Sequence, residues 1–419
     1  LIDAQKLLIF RAKTVFIKTC ACMPKPYFLI DTPSLHEQLK PLSFTRAIAD
    51  LRIGIDTIAE KWTQLWGAEP LYLTVPYLQH KYPAYSLDEA NIAIVGSLLP
   101  TPELVQAIAA LEVGQGLAYD DTLLACCLPA EEFQYPLQPL TFDILPYPHP
   151  PTLIRYPWEL FLYNGAVIQQ DYQRLTQGRS GVPLTDPLTR GYQLDQVFLE
   201  EGAQVQAAIL NASQGPIYIG KNAHIQEGAI IQGPVAIGEG AVVNIGAKIR
   251  PNTTIGPYCK VGGEVSNSIF WGYSNKGHEG FLGNAVLGQW CNLGADTNNS
   301  NLKNNYSTVK VWSYAEQDFQ DTGLQFCGLL MGDHAKAGIN TMFNTGTVVG
   351  VSANVFGGGF PPKHVPSFAW GGAEGFEVYE LDKAIETAER VMERRQIKLS
   401  HTERAILQYL YQQETSYEH

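Results

Sequence analysis

The chain has 419 residues, 45% hydrophobic and 17% charged, with 29 basic against 41 acidic side chains and a net charge of -12. This length accommodates two or three compact units with sizeable cores. The acidic balance argues against nucleic acid or an anionic membrane as the main partner, and leaves local basic pockets for small phosphorylated molecules.

Residues 1–22, "LIDAQKLLIFRAKTVFIKTCAC", precede Met23 and are read as an extension, with Met23 as the start; their apolar positions are too interrupted for a secretory core. Apolar runs elsewhere fall short of the roughly 18 residues that a membrane span needs. The seven cysteines are odd in number and form no CxxC pair. They read as free thiols in a reducing compartment, which points to the cytoplasm.

Residues 23–190 read as a mixed α/β unit. "YFLID" and "LYLTV" are strand-like, and "RAIADLRIGIDTIAEKW" has helical spacing. "TPELVQAIAALEVG" reads as a helix capped by Thr101 and ending near Gly114. Eight prolines between 129 and 157 exclude continuous helix or central strand there. "YPWELFLYNGAVIQQDYQRLTQGR" then closes the unit as a helix.

Residues 200–372 follow a different rule. Ile219, Ile225, Ile231, Ile237, Val243, Ile249, Ile255 and Val261 are spaced six apart, with glycine following at 220, 238 and 256. Six fits neither a helical period nor a simple hairpin. It predicts a solenoid of short parallel strands joined by tight turns, with each aliphatic side chain inside. The beat returns at Phe281, Leu287 and Leu293, and again at Ile339, Thr345 and Val351. His278 falls in the interruption before Phe281. From 373 to 419 the pattern turns helical, with Ser400 and Glu403 in capping-box spacing; a helical tail covering the open solenoid end is expected.

The stretches "IRPNTTIGPYCKVGGEV" and "NKGHEGFLGNAVLGQWCNLGADT" resemble the acetyltransferase half of a bifunctional bacterial family. That family joins a glucosamine-1-phosphate acetyltransferase to an N-acetylglucosamine-1-phosphate uridylyltransferase, in UDP-N-acetylglucosamine biosynthesis. The resemblance implies a left-handed parallel β-helix, a homotrimer with sites between subunits, and acetyl-CoA as acyl donor. It assigns His278 as catalytic base, Glu264 as its supporting carboxylate, and Arg250 and Asn292 to the substrate. Asn301 is the nearest match to an acetyl-CoA contact, weighed against a plain asparagine-rich loop of five asparagines between 298 and 305. Lys336 and Lys363 are candidates for CoA phosphates, while His334 reads as structural.

The chemistry is coherent on its own terms. Acyl transfer to an amine needs a base near neutral pH, and histidine is the side chain whose ordinary pKa suits that task. The sequence also departs from the family. Phe281 and Leu302 stand where it has tyrosines, and Ser266 where it has lysine, so the acceptor is a phosphorylated or nucleotide-linked amino sugar left unspecified, and N- versus O-transfer stays open.

The first unit resembles sugar-nucleotide pyrophosphorylases more loosely. "LKPLS" (39–43) matches their Leu-x-Pro-Leu-Thr element, but "PSLHEQ" replaces the glycine-rich phosphate loop. The resemblance implies a nucleotidyltransferase-like fold, with Arg46, Arg52 and Lys61 as substitute phosphate-binding cations. A nucleoside triphosphate and Mg²⁺ would be its partners; Asp31 and Asp171 are the nearest carboxylates, and no metal ligand set is assigned. Two alternatives remain: sugar-1-phosphate nucleotidylyl transfer with the β-helix as a trimerisation platform, and a non-catalytic β-helix scaffold.

Overall fold

A computed structural model describes residues 25–137 and 141–415, so the 1–22 extension and Met23 lie outside the described residues. The N-terminal unit is built on a six-stranded mixed sheet. Its strands are β1 (Tyr27–Ile30), β2 (Leu71–Leu73), β3 (Asn91–Val95), β4 (Gln115–Tyr119), β5 (Thr122–Leu128) and β6 (Asp143–Pro146), in the order β2-β1-β3-β5-β4-β6. β1 is apolar throughout and buried at every position, as a central strand covered on both faces must be.

The helical reading of 46–62 holds only at its end. Gly54 takes a φ of 70° and Thr57 caps a helix over Ile58–Trp66, closing a capping box with Glu60. The upstream stretch keeps a short 3-10 turn, Ile48–Asp50. Thr101 caps Pro102–Ala109, and an 18-residue helix, Glu159–Thr176, follows the proline-rich stretch.

The solenoid is a parallel β-helix with three faces of six, nine and ten strands, the left-handed form expected. Residues 219 to 261 of the beat are fully buried in one interior cluster. Beyond Val261, Leu287 and Leu293 lie inside as read, but elsewhere the phase differs from the reading. Leu282, not Phe281, lies inside, and the later interior row is Met331, Ala337, Phe343, Val349 and Val355. Ile339 is 69% exposed at a corner. Shortened corners cause the shift: Val265 and Phe270 succeed Val261 after four and five residues, instead of six.

The nine-stranded face is apolar on both sides. Ile255, Phe270, Leu287 and Met331 point into the prism, while their neighbours Ile269, Val286, Leu330 and Val348 join the core of the N-terminal unit. The two units therefore share one continuous apolar interior. Polar groups fix the docking: Asn164 Nδ2 donates to Asn252 O (2.9 Å) and Thr254 Oγ1 donates to Gly54 O (2.8 Å). Arg46 forms a buried ion pair with Asp333, whose carboxylate also accepts from Thr45 Oγ1 at 2.7 Å.

The tail does not simply cap the solenoid end. A β-hairpin, Ala369–Gly372 with Gly375–Val378, closes the ten-stranded face. The tail helices, Leu381–Glu393 and His401–Thr415, pack against both units, with Tyr409 stacked on Tyr77 at 4.4 Å. No helix among the described residues is long and apolar enough to cross a membrane. Five of the cysteines (126, 127, 259, 291 and 327) are free and buried.

Removing Asp333 would leave Arg46 charged, buried and unpaired. Asp333→Ala is expected to lower the unfolding free energy by about 3–5 kcal/mol, and adding Arg46→Met to recover much of it. Urea denaturation of the two variants checks this.

Candidate active site

Each turn of the β-helix crosses a corner between the ten-stranded and six-stranded faces, and His278 occupies one of them. It lies between Asn275–Lys276 and Phe281–Gly283, in the four-residue corner 277–280. The corner beneath is Gly262–Gly263, and both glycines are required. A Cβ at 262 would lie 2.5 Å from Gly277 O, and one at 263 would lie 2.6 Å from Gly280 O. The "GG" of the sequence therefore supplies the seat on which the histidine loop rests.

Two side chains pin that loop from below. Asn244 Nδ2 donates to Gly277 O at 2.7 Å. Lys276 occupies an interior position, paired in register with Val261 and only 1% exposed. Its ammonium turns to the corner and donates to His278 O (2.9 Å) and Gly262 O (3.3 Å). Burial pushes the Lys276 pKa down to about 8, with Glu279 and Asp296 opposing. Sequence reasoning missed this residue, although a signal existed: once the beat is phased on Phe270 and Leu282, a lysine falls where an aliphatic belongs.

His278 is exposed and faces a cleft of 730 Å³. Asn292 and Lys336 share it, so three of the residues chosen from sequence come together. Lys336 donates to His334 O at 2.8 Å, and burial pushes its pKa down to about 8. Tyr273 and Trp290 form one wall as part of a ladder of stacked rings, with centroids 4.2 Å apart. Lys260 and the tail residues Arg394 and Arg395 complete the cationic lining, which includes no Asp or Glu.

The other candidates lie elsewhere. Arg250 and Glu264 sit past the corner on the six-stranded face and pair with each other at 3.1 Å. Glu264 thus spends its carboxylate on Arg250 in this structure. Glu279, next to His278, faces Lys248 at 3.7 Å. Asn301 donates to Asn284 Oδ1 at 2.8 Å, and Lys363 donates to Lys310 O at 2.7 Å; neither lines the cleft. His334 is buried and stacks on Trp290, and burial pushes its pKa down to about 3, in keeping with a neutral structural histidine.

In the N-terminal unit the proposed phosphate cations are committed internally. Arg46 pairs with Asp333 and lies over Trp271 at 4.7 Å. Lys61 is buried against Asp171 at 2.5 Å; burial pulls its pKa down while Asp171 and Asp56 oppose. Arg52 donates to Ile55 O and faces Glu60 at 3.5 Å. In this structure each of the three residues expected at nucleotide phosphates faces a buried or local acceptor. Mg²⁺ fits no better. Asp31 accepts from Ile48 N and Thr74 Oγ1, and pairs with His36; Asp171 is held by Lys61 and Arg174. Among the described residues no group of three metal-ligating side chains forms.

Comparison with known proteins agrees with this architecture. Residues 27–180 match the sugar nucleotidyl transferase family model. The chain is 33% identical over 147 residues to a bifunctional sugar-1-phosphate nucleotidylyltransferase/acetyltransferase from Sulfurisphaera tokodaii. It is 34% identical over 153 residues to the uncharacterized acetyltransferase YaiX of Escherichia coli O6. These matches cover 35% and 36% of this chain, and 36% and 66% of the relatives, so the chain spans less than two thirds of each. Among solved structures, LpxA, a UDP-N-acetylglucosamine acyltransferase from Bacteroides fragilis, superimposes with a TM-score of 0.28 at 14% identity, covering 54% of this chain and 96% of that one. Residues 27–180 thus resemble sugar nucleotidyl transferases, and a stretch of 147 residues resembles a bifunctional nucleotidylyltransferase/acetyltransferase.

The Lys276 geometry has a thermodynamic consequence. Its folded pKa, about 8, lies below its ordinary 10.5, so the unfolded chain binds more protons between those values. Its contribution to stability therefore rises with pH across that window. Relative to Lys276→Met, the wild type is expected to gain stability from pH 8 to pH 10, as measured by denaturation at a series of pH values.

Proposed function

We propose that the chain is an acetyl-CoA-dependent acyltransferase acting on a phosphorylated or nucleotide-linked amino sugar, with His278 as the base. The observation that carries this reading is an exposed histidine, pinned by its backbone, at the edge of a large cleft lined by cations and no carboxylate. An acceptor amine attacks the thioester carbonyl while the imidazole takes its proton. The tetrahedral intermediate then collapses, and the departing thiolate leaves as CoA thiol on receiving a proton.

Arg250 anchors the acceptor phosphate and Asn292 its sugar. A phosphate that engages Arg250 competes with Glu264 for the guanidinium. The carboxylate so released is the one that orients the imidazole and stabilises its charged form. Substrate binding and base activation are then linked through one ion pair, now closed at 3.1 Å.

The exposed Ile245 and Ile339 lie at the same type of corner as His278. They support a homotrimer in which a neighbouring subunit covers this edge. Nucleotidylyl transfer remains a second reading, favoured by the family match over 27–180.

Purified protein should release CoA with glucosamine 1-phosphate or a related amino-sugar phosphate. His278→Ala is expected to lower kcat by roughly 10²–10⁴-fold while the protein stays folded. Unchanged CoA release in that variant would remove His278 from the mechanism. Light scattering should report three subunits for the wild type and a smaller species for Ile339→Asp.

A further inference from the structure

The outward row of the ten-stranded face, Lys260, Asn275, Asn292 and Lys336, stays in register through the turn that carries His278. The inward row beside it does not. Val261 pairs with Lys276 and Leu293 with Ala337, but no such pair joins Lys276 to Leu293. The backbone shows the same break. Where this face enters its corner, the first corner residue donates to the inward residue of the next turn. Asn244 N donates to Val261 O (2.8 Å), Gly262 N to Lys276 O (2.6 Å), Gly294 N to Ala337 O (2.9 Å) and Gly338 N to Val355 O (2.7 Å). Among the described residues Gly277 N has no acceptor, and Leu293 O, which the pattern would give it, has no donor.

Corner length does not explain the gap, because the corners 294–297 and 338–341 also span four residues and keep the bond. The open space is visible at the glycines. A Cβ at Gly262 or Gly294 would strike the backbone of the next turn, 2.5 Å from Gly277 O and 2.6 Å from Gly338 C. One at Gly277 would meet only Asn244 Nδ2, at 3.3 Å. What differs at this turn is the inward residue. An ammonium left in the apolar row would lack partners. Lys276 therefore turns to His278 O and Gly262 O, which ties the corner to the turn beneath, as does the bond from Asn244 to Gly277 O. A slot is left above, and Gly277, His278, Leu293 and Gly294 all line the cleft.

We propose that Lys276 is a positioning residue that holds this rung of the ladder open, and that the Gly277 N–H so freed is a catalytic donor to the reacting carbonyl oxygen. The donor role rests on the acyl-transfer reading, whereas the open rung does not. As the acceptor nitrogen bonds to the thioester carbon, its proton passes to His278 and the carbonyl oxygen takes the π electron pair. That oxyanion accepts from Gly277 N–H. Its collapse restores the C=O bond, breaks the C–S bond and releases CoA as thiol with the proton held by His278. An N–H already paired in the ladder would first have to give up its partner; an open rung presents the donor in advance, where such preorganised donors act most strongly.

Lys276→Met separates this role from a merely structural one, because methionine suits the apolar inward row and should leave the fold intact. Amide hydrogen exchange, resolved to single residues by fragmentation mass spectrometry, reads the rung itself. Gly277 should exchange much faster than Gly262 and Gly294 in the wild type, and become protected in Lys276→Met. In the same variant kcat should fall roughly 10²-fold, with little change in the acceptor KM. Asn244→Ala loosens the same corner from the half-buried cleft edge and should lower kcat by a smaller factor; it carries the test should Lys276→Met not fold. Equal protection of Gly277 and its neighbours in the wild type would overturn the open rung. Undiminished kcat in a folded variant whose rung has closed would overturn the donor role and leave the acyl-transfer reading standing. Absence of CoA release from the wild type with amino-sugar phosphates would overturn that reading and the donor role together.

Discussion

The interior of the β-helix is filled by a row of side chains most often six residues apart, and that row of positions governs the rest of the molecule. Aliphatic residues fill it through most of the solenoid, each fully removed from water. A methylene buried this way is worth about 0.8 kcal/mol, so the row fixes which residues face in at every turn. Lys276 breaks the rule at the one turn whose corner carries His278. A buried ammonium is costly unless its hydrogen bonds are met. Here two corner carbonyls meet them, and the cost is spent on holding the histidine loop in place.

The second constraint is the nine-stranded face, which must be covered on its outer side as well. The N-terminal unit provides that cover, and its polar residues follow from the role. Arg46 and Thr45, in the segment that resembles a nucleotidyltransferase motif, reach Asp333 of the solenoid. Asp333 in turn accepts from Gln289 N at 2.8 Å, beside Trp290 of the cleft wall. Burial opposes the charge on Asp333, but Arg46 and the Thr45 hydroxyl more than compensate and lower its pKa. A residue suited to binding nucleotide phosphate has become an anchor between units, one side chain away from the proposed acyl-transfer site.

Much of this was legible in the sequence because the solenoid's rule is local. Eight exact repeats suffice to read the architecture, and an interrupted repeat marks the corner that holds His278. The phase between Val261 and Leu287 was not legible, because interior positions four and five residues apart shift the row without altering composition. Lys276 was therefore passed over, and Phe281 was taken for core. The fates of Arg46 and Lys61 were also hidden, since their partners, Asp333 and Asp171, lie 287 and 110 residues away.

The central claim is that one cleft holds the acyl donor with its reactive end at His278. A structure of the protein with CoA bound tests it most directly. The expected result is CoA lying along the Lys260–Lys336 row, its sulfur beside the His278 imidazole. CoA bound elsewhere on the chain, or in the cleft with its sulfur turned away from residue 278, would contradict the account.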